Sequence, residues 1–108
     1  MIRLWLDDVR PVPDGWVWAK TAWDAIDLLR AGGVIEVSLD HDLGPPEAGS
    51  GYDVARWIEA EAYHGRLARL RWAVHSANPI GRERMAKALE KADTCWDLAE
   101  LADGPAEP

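Results

Sequence analysis

The chain has no phenylalanine, a single cysteine, no run of lysine or arginine, and no long apolar stretch. Each absence removes a class of protein. Cys95 on its own cannot form an intramolecular disulfide or a cysteine zinc site, and a lone thiol reads first as a small core residue. Basic runs are missing and the formal net charge is −7 over 108 residues. Nonspecific duplex DNA binding is therefore not expected, because that affinity comes mainly from neutralised phosphates. No apolar run has the length of a membrane span, and Asp7-Asp8 interrupts the N-terminal run too early for a signal peptide. A soluble, cytoplasmic protein with no membrane partner is expected. Seven tryptophans supply the aromatic bulk instead, each with an indole N–H that needs a partner.

Apolar strands alternating with amphipathic helices make up most of the rest. Ile2 to Leu6, Trp16 to Ala19, Val34 to Leu39 and Leu70 to Val74 read as four strands. Between the first two, Arg10, Pro11, Pro13, Asp14 and Gly15 have the chemistry of a loop. Thr21 caps a helix with Asp24 in the capping-box position; Ala22, Ile26 and Leu29 share its inner face, and Gly32-Gly33 stops it. Val54, Trp57 and Ile58 mark a second helix ending near Gly65. Asn78 and Pro79 open a third, lined by Met85, Leu89 and Ala92. Asp93 to Leu101 fits a short strand, a helical turn, or both in sequence. No repeat or linker divides the chain, so residues 1–103 form one domain and 104–108 a frayed tail. The alternation predicts a three-layer α/β domain, a parallel sheet with helices on its faces and right-handed crossovers.

Three of the strands end in polar clusters: Asp7-Asp8, Asp40-His41-Asp42 and His75-Ser76-Asn78. In a parallel sheet these fall on one carboxyl edge, where such sheets place their chemistry. Any one carboxylate there also serves as a turn or cap residue. Four together crowd one crevice, and a hard divalent cation such as Mg²⁺ relieves that repulsion with oxygen ligands. His41 and His75 are candidates for proton transfer, or for local hydrogen bonding alone. Ser76 is placed to donate to a phosphate oxygen or to bond the backbone; Asn78 is a helix cap with a possible ligand contact. Arg10 either clamps a phosphate bidentately or pairs with Asp8 or Asp14. Tyr52 and the tryptophans read as packing, apart from any exposed tryptophan near this edge, which can stack on a base.

At these residues the chain resembles the receiver domain of two-component signalling. Asp7-Asp8 match the acidic pair ending the first receiver strand, and Asp40 falls at the phosphoacceptor position. Gly51 to Val54 and Ser76-Ala77 match later receiver motifs, so the resemblance covers about residues 2 to 92. The chain departs from that pattern in four places. There is no room for a first helix between Asp8 and Trp16, and the loop from Asp40 to Gly51 is longer. His41 and Asp42 are unusual, and no Lys-Pro ends a fifth strand. Together L-D-D-x-R, S-L-D-H-D-L-G and H-S-x-N-P are similar to a divergent family, the cyclic-phosphate processing receiver-like domains. That resemblance implies a receiver-like (flavodoxin-like) sheet with the first helix shortened or lost and the fifth strand uncertain. It also implies activity on cyclic phosphate ends of RNA or nucleotides.

The expected chemistry is that of a metal-dependent phosphoesterase. Asp7, Asp8 and Asp42 are the candidate ligands for Mg²⁺ or Mn²⁺. Asp40 either completes the metal shell or attacks phosphorus. His75 or His41 protonates the leaving sugar alkoxide, while Ser76 and Arg10 stabilise the non-bridging oxygens, with Asn78 alongside. Two other functions fit the same residues: a signalling receiver phosphorylated at Asp40, and a metal- and phosphate-binding module without turnover. The sequence assigns no oligomeric state.

Overall fold

Successive side chains of a strand face opposite ways, so β1 (Ile2–Leu6) sends Leu4 and Leu6 to one side and Arg3 and Trp5 to the other. In the computed structural model, which describes residues 1–102, β1 lies inside a four-stranded parallel sheet. The order is β2 (Val17–Ala19), β1, β3 (Val34–Leu39), β4 (Arg71–Val74). Register sets Leu4 beside Val37 and Leu6 beside Leu39, all four fully buried. On the opposite face Trp5 lies between Trp18 and Ser38, and Glu36 between Arg3 and Arg71.

Local chemistry sets the helix ends. Thr21 Oγ1 accepts the Asp24 N–H at 3.1 Å to start α1 (Ala22–Ala31), and Gly32, at φ 93°, ends it. A reciprocal capping box starts α2 (Gly51–Tyr63): Asp53 N–H donates to Ser50 Oγ, and Ser50 N–H donates to Asp53 Oδ2 at 2.9 Å. At the start of α3 (Pro79–Ala102), Asn78 Oδ1 accepts the Gly81 N–H at 3.0 Å. Val54 and Ile58 of α2 join Met85 and Leu89 of α3 in the same buried core as the sheet leucines.

The parallel receiver-like architecture with flanking helices is the one expected, and where the first helix is lost a loop takes its place on one face of the sheet. The β2–β3 and β3–β4 connections step the same way across the sheet, so right-handed crossovers put α1 and α2 over one face. The third helix packs there too, where its Asp93 accepts the Trp72 indole N–H. The β1–β2 connection steps the other way and crosses the opposite face as a proline-rich loop. Trp16 closes that loop edge-on to Trp5, at 6.2 Å between ring centroids. Trp5 Nε1 donates to Arg10 C=O and Trp18 Nε1 to Asp7 C=O, so two indoles pin the loop that replaces a helix. Elsewhere this face carries Glu36 paired with Arg3 at 3.4 Å and with Arg71 at 3.3 Å. Exposed pairs of this kind contribute about 0–1 kcal/mol, whereas each fully buried leucine contributes roughly 1.5–3 kcal/mol. Stability therefore resides on the helical side.

Residues 93–101 form no fifth strand; α3 continues through them to Ala102. Trp96 donates its indole N–H to Leu67 C=O at 2.9 Å, and Arg69 pairs with Asp97 and Glu100. These contacts dock the last turns as helix, where Thr94 and Cys95 alone would suit a strand. Cys95 is half-buried against the core. The expected tail, residues 104–108, lies outside the described residues. Among the described residues no helix is long and apolar enough to cross a membrane.

Candidate functional site

The ends of β1 and β3 bring Asp7, Asp8 and Asp40 together, each offering an oxygen within 4.8 Å of the others. Asp7 is fully buried and Asp40 nearly so. The three do not share one environment. Asp7 Oδ1 accepts the backbone N–H of Val9 at 2.9 Å and of Arg10 at 2.8 Å. Its Oδ2 contacts Arg10 Nη1 at 3.2 Å and His75 Nε2 at 3.0 Å. Asp40 Oδ1 accepts the His41 N–H at 2.9 Å and lies 3.7 Å from Arg10 Nη1. The hydrogen bonds of the site leave Asp8 uncommitted, as they do Asp40 Oδ2. Burial alone raises the Asp7 carboxyl pKa. The N–H groups of Arg10 and Val9, then the His75 and Arg10 side chains, outweigh it and hold that carboxyl below the ordinary range.

That depression has a consequence for acid stability. A carboxyl whose folded-state pKa lies below its unfolded value stabilises the fold above the unfolded value. The contribution is lost as pH falls through the folded one. The urea midpoint should therefore drop below about pH 4, and Asp7→Asn should show a shallower drop. Equal acid slopes in the two proteins would mean that Asp7 is not the group responsible.

Two sequence expectations change at this cluster. Asp40, rather than Asp42, is the third clustered carboxylate. Asp42 lies outside that cluster and accepts from His41 Nδ1 at 2.8 Å and from Asn78 Nδ2 at 3.4 Å. The His41 hydrogen bond is the main cause of its lowered pKa; slight burial opposes it, and Asn78 and the His41 charge assist. Arg10 pairs with Asp7 and Asp40, not with Asp8 or Asp14, and also donates to His75 C=O at 3.3 Å. One guanidinium nitrogen is thus committed to the carboxylates, on a side chain still nearly half exposed.

The two histidines differ in what they leave available. His75 is stacked flat on Trp5 at 3.9 Å, with Nδ1 2.7 Å from Ser38 Oγ and Nε2 on Asp7. Both ring nitrogens are used. His41 commits only Nδ1, to Asp42, and its ring lies over Gly81. Ser76 is buried and its Oγ accepts the Asn78 N–H at 3.1 Å, the backbone-bonding geometry of a strand end. Ser38 was hidden from sequence reasoning; the signal available was a hydroxyl alternating with Glu36 on one face of β3, opposite the buried Val37 and Leu39. Trp5 gave no sign beyond its strand register.

A parallel four-stranded sheet whose first and third strands end in converging carboxylates defines a receiver-like α/β domain. A family model described as the cyclic-phosphate processing receiver domain matches residues 2–91, and the chain belongs to that family. No curated protein matches it.

Proposed function

We propose that this domain is a divalent-metal-dependent phosphoesterase that opens cyclic phosphate ends of RNA or nucleotides. The convergence of Asp7, Asp8 and Asp40 carries the reading. Their donors are all carboxylate oxygens, the set a hard divalent cation takes. Asp8 and Asp40, with uncommitted oxygens, would hold Mg²⁺ or Mn²⁺ directly, while Asp7, saturated by four contacts, orients Arg10 and His75. When bound, such an ion offsets phosphoryl charge and activates water. Arg10 presents its remaining N–H groups to the non-bridging oxygens. His41, with Nδ1 held by Asp42, carries the proton for the departing sugar oxygen on Nε2.

Purified protein should convert 2′,3′-cyclic nucleotides and cyclic-ended RNA to monophosphates with Mg²⁺ or Mn²⁺, and not in EDTA. Divalent ions should also raise the melting temperature. At an ion concentration 100 times Kd the gain is about 2.7 kcal/mol, or roughly 10 °C for a domain of this size. Asp8→Ala should remove most of that shift; a full shift in the variant excludes Asp8 as a ligand. If both substrates survive with either ion, the phosphoesterase reading fails. Asp40 also occupies the end of β3, the place of a receiver phosphoacceptor. Stable modification of Asp40 by acetyl phosphate, with a conformational response and no turnover, would assign a signalling role instead.

A further inference from the structure

Away from the carboxylates, one groove between α2 and α3 is basic. Arg56, Arg84, Lys87 and Lys91 line it around Tyr52, in a volume of about 330 Å³. These are four of the 12 lysines and arginines in a domain of net charge −7. Residues 84, 87 and 91 are spaced i, i+3, i+7 and so share one face of α3, opposite Arg56 of α2. Two acids temper the charge: Glu59 lies 3.7 Å from Arg56 Nε, and Glu83 pairs with Lys87 at 3.1 Å. Arg84 and Lys91 have no ion-pair partner among the described residues. The groove thus holds more positive charge than its neighbours neutralise, in an otherwise acidic domain.

Its position is as informative as its charge. Tyr52 follows Gly51, whose N–H donates to His41 C=O at 3.0 Å. Arg84 lies about one turn beyond Gly81, which packs on the His41 ring. The Tyr52–Arg84 end of the groove is therefore the end nearer the crevice, and the other lies seven residues further along α3, about 10 Å away. At the near end the guanidinium carbons of Arg56 and Arg84 stand 5.7 Å and 6.0 Å from the Tyr52 ring centroid.

We infer that this groove binds the phosphodiester backbone of a single-stranded RNA whose terminal cyclic phosphate lies in the crevice. The inference rests on the phosphoesterase reading and specifies a polymer end over a free cyclic nucleotide. Cations strung along a path match a repeated charge, where a mononucleotide needs only the crevice. Guanidinium forks suit phosphate oxygens, and the half-buried Tyr52 ring, whose hydroxyl accepts from Arg56 Nη1 at 3.3 Å, offers a stacking surface for a base near the end. An acidic peptide would use the cations but gains nothing from an aromatic platform placed beside a phosphate-processing crevice.

The test compares wild type with Lys87→Glu/Lys91→Glu, two exposed positions at the far end of the groove. Circular dichroism checks that the variant folds. The substrates are a fluorescein-labelled oligouridylate ending in a 2′,3′-cyclic phosphate, and 2′,3′-cyclic UMP. The KM for the oligonucleotide should rise at least ten-fold, while the constants for cyclic UMP stay within two-fold. In EDTA, oligonucleotide anisotropy should give a log–log salt slope of about −2 to −3 for three or four phosphate contacts, shallower in the variant. Oligonucleotide binding that is equal in both proteins overturns the groove. Competition by a poly-glutamate peptide as effective as unlabelled RNA overturns RNA in favour of an acidic protein partner. If wild type turns over neither substrate, the phosphoesterase reading fails separately, and the anisotropy comparison still decides the groove.

Discussion

Replacing His41 by glutamine should lower turnover of a 2′,3′-cyclic nucleotide by about 10²–10⁴-fold, the range for loss of a positioned general acid. The loss should shrink sharply on a nitrophenyl phosphodiester, whose leaving group departs without a proton. An imidazole has two nitrogens, and a proton donor needs one of them facing substrate. His75 has neither to spare, with Ser38 at 2.7 Å and Asp7 at 3.0 Å, and its ring is stacked on Trp5. His41 spends Nδ1 on Asp42 and keeps Nε2. His75→Gln should therefore act through Asp7, lowering turnover of both substrates alike. A leaving-group dependence that appears in His75→Gln and not in His41→Gln would reverse the assignment.

Asp7, Asp8 and Asp40 were legible as a group because parallel strands deliver their carboxyl ends to one edge, whatever the details of the loops. Asp42 was grouped with them because it follows the same strand end as Asp40, and the turn that carries it away is not a local signal. The strand stops at Leu39, Asp42 bridges back to Ser50, and the Gly51 N–H holds His41 C=O, so the two acids diverge. Four strands, three helices and two helix caps, Thr21 and Asn78, followed from apolar periodicity and local cap chemistry, whereas the Ser50–Asp53 capping box of α2 went unread. The long α3 did not, because its last turns are fixed by Arg69 and by Leu67 C=O, distant in sequence. Nor did the basic groove. Its cations are spread over two helices with no run between them, and only helical spacing and the α2–α3 packing gather them.

The open sheet face follows from the same topology. Losing the helix between β1 and β2 leaves a parallel sheet covered on one side only, an uncommon state for such sheets. The tryptophan composition compensates there. Trp5, Trp16 and Trp18 give the short loop enough apolar area to sit on the sheet, and two of their indole N–H groups bond the loop backbone. That loop begins with Asp7, Asp8 and Arg10. The element that replaces a structural helix is thus the one that holds half of the candidate site.

The other half depends on two glycines of the helical side, and they should fail differently. A Cβ at Gly51 would lie 1.9 Å from the Asp40 carbonyl oxygen and 2.7 Å from Met85 Sδ. The nearer atom is backbone, so α2 and the end of β3 must separate. Gly51→Ala should cost about 3 kcal/mol or more, the upper end of overpacking and a large share of a small domain's stability. It should also abolish the divalent-ion melting shift by displacing Asp40. At Gly81 the Cβ would meet His41 Cγ at 2.4 Å and His41 Cβ at 2.8 Å, atoms at the root of the side chain that no rotamer change moves clear, so α3 and His41 must separate. Gly81→Ala should also cost about 1–3 kcal/mol by overpacking, but keep its metal response while losing turnover, because the His41–Asp42 pair is unseated. Gly65→Ala serves as the reference: φ is +69° with open space around it, so only backbone strain of about 1–2 kcal/mol is expected, with no effect on either property. Melting curves with and without Mn²⁺, alongside turnover, separate the three. A Gly51→Ala protein with wild-type melting and metal response would show that α2 does not press on Asp40, and the account of how the fold sets the site would have to be abandoned.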